Sequence, residues 1–507
     1  MKKSVLIVLF MLCALMSQAQ TGYHLKINLK NCKDSLVYLT FYQFDKTLIK
    51  DTCTHIKNGK IEFKGSSHLD RGIYSIVGQQ KSILFDFFID DDTQFLELKS
   101  DAEFLYAKEL VAINSKREND FFNYIRFIGD QNIEIEKALQ IARGKTKKDS
   151  TDIVTAKQKE IGSLISAYEE NFLSQNKGSY IAGVLNLKMD KLLKDIPKAS
   201  NGRPDSLAVF TYFKKHYWDG VDFQDDGSVR NPFFATKLNK YLENVVVRHP
   251  DSVSVELDRI IQKMKPESTM YKLLLGHFIY TYETSKIMGF DQVFVHLADT
   301  YFKTGKAKGI YEDETVVDKI VERSNKMKPL LLGAVAPELY MIKPESHPQF
   351  GPMGFDKATT SEELTKLYYA HQAELEKMYV KLHDTQADYL IVLFWDVDCG
   401  HCQTEVPKIL DEYHQFLKDK KDVKVYSVYT QYDYDKYAKY IAEHKLDWIN
   451  LYDPVHLNNI REKYDVYSTP VIYILDKNKV IKAKKIGSEQ IKDIIRNMES
   501  EYKSAKK

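Results

Sequence analysis

An unbroken apolar run, Tyr389-Leu390-Ile391-Val392-Leu393-Phe394-Trp395, ends just short of the motif Cys399-Gly400-His401-Cys402. A run with no polar alternation is what a strand covered on both faces looks like, and such strands sit in the middle of α/β sheets. The sequence that follows agrees with that placement. Helical periodicity is predicted over 399–417, with Pro407 bending the helix, then a strand over 423–429 and a helix over 433–444. A short strand over 448–452 and a helix over 455–464 come next. A hairpin follows, with strands over 471–475 and 480–486, and a last helix spans 488–502. The order is β-α-β-α-β-α-β-β-α, with the cysteine pair at the first strand-to-helix junction.

The chain has 507 residues, more than one compact core accommodates, so several domains are expected. Lys and Arg total 73 against 71 Asp and Glu, interspersed along the sequence. That balance, with no nucleic-acid-reading motif, gives no case for a nucleic-acid partner.

Residues 1–19 read as a secretory leader. Lys2 and Lys3 precede an apolar stretch over 5–16, and Ser17, Gln18 and Ala19 offer small residues for cleavage after Ala19. Cys13 follows Leu12 rather than a small residue, so it is not read as a lipid anchor. No later stretch approaches the ~20 apolar residues of a membrane span. The mature chain is therefore expected to be exported and periplasmic. It keeps four cysteines, Cys32, Cys53, Cys399 and Cys402, in a compartment that permits disulfides.

Three zones follow the leader. Residues 20–104 read as a small antiparallel, sandwich-like β domain, with period-two alternation from Tyr23 to Lys30 and an Asn58-Gly59 hairpin signal between 54–56 and 61–63. If 36–42 and 47–54 pair, Cys53 falls opposite Val37 at the end where Cys32 turns. A structural Cys32–Cys53 bridge is then possible and would add about 3 kcal/mol; the alternative is two separate thiols. Residues 105–330 read as all-α, with helical periodicity at 121–128, 161–172 and 271–287. Within them His216-Tyr217-Trp218-Asp219-Gly220-Val221-Asp222-Phe223-Gln224-Asp225-Asp226 is either a groove wall or a loop whose aromatics plug the bundle. Its acids lack calcium-loop spacing. Residues 331–507 form the α/β zone, with a charged amphipathic helix expected at 361–383.

The cysteine pair admits three roles: redox couple, half of a metal site, or structural crosslink. A zinc site needs a second ligand pair, and none is spaced for it. Haem attachment needs His directly after the second cysteine, where Gln403 stands. A cysteine at a helix N-terminus faces unpaired N–H groups and the positive dipole end, which favour the thiolate. Cys399 is therefore the expected nucleophile. Cys402, one turn on, resolves the mixed disulfide. His401 between them adds a donor or positive charge.

Phe394-Trp395, the Cys-Gly-His-Cys motif, Glu405-Val406-Pro407, Ser468-Thr469-Pro470 before a strand, and Gly333-x-x-Ala336-Pro337-x-Leu339 together resemble the exported TlpA/ResA-type thiol–disulfide oxidoreductases of the thioredoxin fold. The resemblance covers about 331–507; the preceding zones resemble accessory domains of secreted Bacteroidota proteins. It implies a thioredoxin fold and a cis peptide bond before Pro470. It also implies substrate docking at Thr469, Pro470 and Trp395, and a proton-accepting role for Glu405. Leu393 stands where thioredoxin has a buried aspartate, so Asp396 and Asp398 join Glu405 as candidate bases. Asp398, beside Cys399, opposes thiolate formation. Gly-His is also the dipeptide of protein disulfide isomerases, which implies a potential nearer about −180 mV than about −270 mV. The expected cofactor is none beyond the Cys399–Cys402 disulfide. The expected partners are protein thiols and disulfides and a membrane electron donor. The alternative is a ligand- or partner-binding scaffold in which the thioredoxin-like module is accessory.

Overall fold

The computed structural model describes residues 22–103 and 108–505. The leader expected at 1–19 lies outside the described residues. Two compact units emerge, Met1–Arg248 with Asp258–Leu273, and His249–Leu257 with Leu274–Lys507.

The first unit opens with eight strands: β1 (Tyr23–Lys30), β2 (Val37–Gln43), β3 (Lys46–Cys53), β4 (Lys60–Gly65), β5 (Gly72–Val77), β6 (Ile83–Ile89), β7 (Phe95–Asp101) and β8 (Val111–Ala112). They form two four-stranded sheets, ordered β4-β1-β7-β8 and β3-β2-β5-β6. The period-two pattern does its work here: Leu25, Ile27 and Leu29 of β1 are buried while Lys26, Asn28 and Lys30 face out. One pair departs from the expected antiparallel arrangement. β7 runs parallel to β1, because the chain returns from the second sheet and fills the free side of β1 in the same direction.

The Asn58-Gly59 turn also differs from a hairpin. Both residues have positive φ, as a tight two-residue turn needs. Gly59 is obligatory, since a Cβ there would lie 2.0 Å from the Leu29 carbonyl oxygen. Yet only Lys57 and Lys60 bridge across it. β4 instead pairs with β1, which buries Ile61 and Phe63, so the turn carries the chain from one sheet to the other.

Cys53 does lie opposite Val37. Even so, Cys32 and Cys53 are separate thiols and the bridge is not made. Cys53 is buried within the sheet core, while Cys32 packs on that core from the turn after β1.

Helices Lys116–Ala142 and Lys147–Gln175 start at side-chain caps, Ser115 and Thr146. Phe121, Phe122, Tyr124 and Phe172 join the strands' residues in one apolar cluster. Trp218 packs against Tyr217, Phe223 and Tyr241 at 5.1–5.3 Å between ring centres, so the aromatics of 216–226 plug the helices.

In the second unit, helix Thr315–Met327 precedes the α/β region. Short strands β9 (Tyr340–Met341) and β10 (Val380–Lys381) pair outside the main sheet. The main sheet holds β11 (Tyr389–Trp395), β12 (Val423–Tyr429), β13 (Ile449–Leu451), β14 (Val471–Asp476) and β15 (Ile481–Lys484), in the order β13-β12-β11-β14-β15. β12 is parallel to β11, and β14 is antiparallel to it. The central place of β11 explains its composition. Ile391, Leu393 and Trp395 enter one core, and Leu390, Val392 and Phe394 enter the core on the other face. Residues 333–336 hydrogen-bond to Lys479 and Ile481, which covers the edge that β15 would otherwise expose. The whole is a thioredoxin fold following strand sheets and a helical region.

Two helices differ from expectation. The one expected at 361–383 breaks at His371 into Ser361–Ala370 and Gln372–Met378. The one expected at 455–464 shrinks to Ile460–Lys463. Asp453 accepts the Leu457 and Asn458 N–H groups, and Asn459 is left-handed with φ 42°, so the segment before Ile460 is a hydrogen-bonded loop.

Candidate active site

The site is built where β11 gives way to a helix. After Trp395 the chain turns through Asp396, whose carbonyl accepts the Cys399 N–H at 3.3 Å and whose carboxylate accepts the Asp398 N–H at 3.0 Å. That turn leaves Cys399 as the N-cap of helix Gly400–Lys418. Cys402 lies one turn inside and is fully buried; Cys399 is half-buried; both are thiols. Against them sits the Thr469–Pro470 segment, whose peptide bond is cis. The Cys399 thiol donates to the Thr469 carbonyl at 3.2 Å.

The two sulfurs are electrostatically unlike. Burial alone would raise Cys399, but donors outweigh it: the Thr469 side chain, the Cys402 N–H and S–H, and the His401 N–H hold it below the ordinary thiol value. Burial pushes Cys402 up to about 12, and the neighbouring Cys399 sulfur adds to the rise. Reduced protein treated with limiting iodoacetamide at pH 7–8 should therefore be labelled first at Cys399. The rate should climb as pH rises through its lowered pKa. Cys402 should stay unmodified until the chain unfolds. Peptide mass mapping checks this, and equal labelling of the two would contradict the assignment.

Three residues are placed differently from expectation. Trp395 is not at a docking surface. It is fully buried, donates Nε1–H to Ser427 Oγ at 2.7 Å, and packs on Tyr429, Tyr437 and Tyr440. Glu405 is not turned toward Cys402. It accepts from Lys408 Nζ at 2.8 Å and from the Ser488 N–H at 3.2 Å, holding the redox helix to the start of helix Ser488–Ala505. Lys408 first, then Ser488, keep its carboxyl below the ordinary range, which makes it a weaker base. Asp398 is paired with Lys436 at 2.8 Å, so the acid beside the nucleophile is partly neutralised. Nothing in the local sequence announces Lys436, which comes from the following helix. His401 is exposed and contributes its N–H to the cysteine end.

A groove of about 530 Å³ opens beside Thr469, walled by Tyr429, Tyr432, His456, Arg461 and Tyr467. Tyr432 stacks on His456 at 4.1 Å. Among the described residues no cluster of three or more His, Cys, Asp or Glu side chains is arranged to hold a metal ion. No described helix is long and apolar enough to cross a membrane.

Residues 144–324 match a domain family of unknown function, and residues 368–484 match the AhpC/TSA family. No curated protein matches the chain. Among solved structures, it is similar to a domain described as a possible thiol–disulfide isomerase from Cytophaga hutchinsonii, with 33% identity, covering 35% of this chain and 98% of that one, TM-score 0.27. A thioredoxin-like protein from Bacteroides caccae shows 16% identity over 60% of this chain and 98% of its own, TM-score 0.41. A thiol:disulfide interchange protein from a Bacteroides species shows 23% identity over 33% of this chain and 88% of its own, TM-score 0.24. Through its C-terminal region, the chain belongs to the thioredoxin-fold thiol–disulfide oxidoreductases.

Proposed function

We propose that the protein is an exported, periplasmic oxidoreductase that reduces or isomerises disulfides in other proteins through Cys399 and Cys402. The observation that carries this reading is the pairing of unlike sulfurs: an accessible Cys399 with a lowered pKa, backed by a buried Cys402. The Cys399 thiolate attacks one sulfur of a client disulfide. The client S–S bond breaks, a Cys399–client bond forms, and the other client sulfur leaves as a thiolate that takes up a proton. Cys402 then loses its proton and attacks Cys399 Sγ. The second client thiolate departs, and the Cys399–Cys402 disulfide remains. Two electrons have passed from the dithiol to the client. In isomerisation a different client thiolate attacks the client sulfur of the mixed disulfide instead; a new client S–S bond forms, Cys399 leaves as a thiolate, and the dithiol is recovered.

Thr469 offers its backbone to an extended client segment, and the groove beside it receives the neighbouring side chains. Net reduction requires a dithiol donor, which in an exported protein is a membrane partner that carries electrons across.

The test is the equilibrium potential of the pair in the mature chain, set by glutathione ratios and counted by thiol trapping. A value between about −280 and −150 mV, with insulin reduction, supports the proposal. A value well below about −300 mV, with no insulin reduction, makes the disulfide structural and moves the function to the first 330 residues.

A further inference from the structure

Helix Thr315–Met327 lies outside the AhpC/TSA match, and most of it falls within the match to the domain of unknown function. Its side chains nevertheless reach the loop that delivers Thr469. Asp465 is buried in that loop, with its side chain 6% exposed, and it adopts a left-handed backbone with φ 53°. Its carboxylate accepts from two cations, Arg323 of the helix and Lys485 just after β15. Burial would raise this carboxyl, but the two cations more than reverse it, so it is an ionised group fixed in the interior.

The same helix makes two more contacts on the loop. The Arg323 guanidinium lies over the Tyr467 ring at 5.8 Å, and Lys326 pairs with Glu462 at 2.5 Å. Glu462 in turn accepts the Tyr467 hydroxyl at 3.0 Å. Arg461, Val466, Tyr467, Ser468 and Thr469 form one side of the groove. One guanidinium thus grips the loop on both sides of Val466, and Tyr467 stands two positions before the residue that touches Cys399.

We infer that Arg323 is a positioning residue for the redox site: from outside the AhpC/TSA match, it fixes the 464–470 loop through Asp465 and Tyr467, and so sets where Thr469 meets Cys399 and where a client segment docks. Arginine suits the task because one planar group can bond a carboxylate at its edge and lie over a ring with its face. Lysine could keep the ion pair but not both contacts at once. The inference rests on the proposed oxidoreductase activity for its consequence to clients, but not for its effect on Cys399.

The experiment compares the mature full chain with its Arg323→Met and Arg323→Lys variants, with Asn325→Ala on the exposed face of the same helix as control. The first readout is the pH midpoint of Cys399 alkylation by iodoacetamide, which needs no client. Arg323→Met should move the midpoint upward by about one unit, roughly a tenfold smaller thiolate fraction near pH 7. Arg323→Lys should fall between Met and wild type, and Asn325→Ala should match wild type. The second readout is insulin reduction, in which Arg323→Met should raise KM several-fold more than it lowers kcat. A folded Arg323→Met chain whose alkylation midpoint equals wild type overturns the inference. If wild type itself does not reduce insulin, the proposed function fails while the alkylation midpoint still decides the role of Arg323. If Arg323→Met misfolds, Tyr467→Leu, which keeps the ion pair and removes the ring, must shift the midpoint in the same direction, and an unchanged midpoint overturns the inference.

Discussion

Replacing Cys399 with serine should lower the turnover of a protein disulfide by about a thousandfold or more, while Cys402→Ser should leave the first attack intact and trap the client as a mixed disulfide. The two variants differ because the sulfurs do. Cys399 is the half-buried cap of its helix, with N–H groups from His401 and Cys402 aimed at its sulfur, and a serine hydroxyl there is far too weakly acidic to supply a nucleophile. Cys402 is fully enclosed, with the Cys399 sulfur beside it. Non-reducing electrophoresis of Cys402→Ser mixed with an oxidised client should show a band at the summed mass that disappears with dithiothreitol. If Cys402→Ser is inert and Cys399→Ser forms the band, the assignment of attacker and resolver is reversed.

The second large effect is on stability. Trp395→Ala should destabilise the second unit by about 3–5 kcal/mol, the usual cost of removing a large buried aromatic. The ring is wholly enclosed and meets Tyr429, Tyr437 and Tyr440 at 5.1–6.2 Å, and the change also strands the Ser427 hydroxyl that accepts from Nε1. Trp395→Phe should cost less, since the ring is mostly replaced and the lost hydrogen bond accounts for about 1–2 kcal/mol. Because the chain has two compact units, the reporter must belong to the second one. Cys402 serves, since it shares the Trp395 core and gains alkylation only when that core opens. Urea midpoints for Cys402 labelling that are equal in wild type and Trp395→Ala would place the tryptophan outside the stabilising core.

The C-terminal fold was legible because its decisive signals are local. An apolar run without alternation, a cysteine pair straight after it and a proline ahead of the next strand each depend on neighbours in sequence. The same locality explains the misplacements. Trp395 has the parity of Ile391 and Leu393, which already assigns it to an enclosed face, but the tryptophan beside a redox motif invited a surface role. Glu405 stands three residues before Lys408, a spacing that marks an ion pair on a helix and not a free base.

Other features depend on partners far away in the chain. The parallel β1–β7 pair joins residues about 70 apart, and Lys436 meets Asp398 across 38 positions. The stretch 455–464 has helical spacing, but Asp453 offers its backbone a competing set of hydrogen bonds. At Cys32 and Cys53 the register was right and the bond was not, since opposition across a ladder brings one cysteine near a turn without aiming the other at it.

The apolar floor beneath Cys402 has a consequence for timing. Leu393 and Trp395 share its cluster, so no carboxylate from the central strand waits to take its proton. Burial, with the neighbouring Cys399 sulfur, holds its thiol well above the ordinary value, so at pH 7 it rests protonated. Once Cys399 is bonded to a client its charge is gone and part of that barrier falls, but the share owed to burial stays. The covalent complex thus has a built-in dwell time. A client with a second thiol close by can rearrange within that interval, and a client without one simply waits to be let go. Whether an encounter ends in reshuffling or in reduction then becomes a race whose clock is the slow departure of one proton.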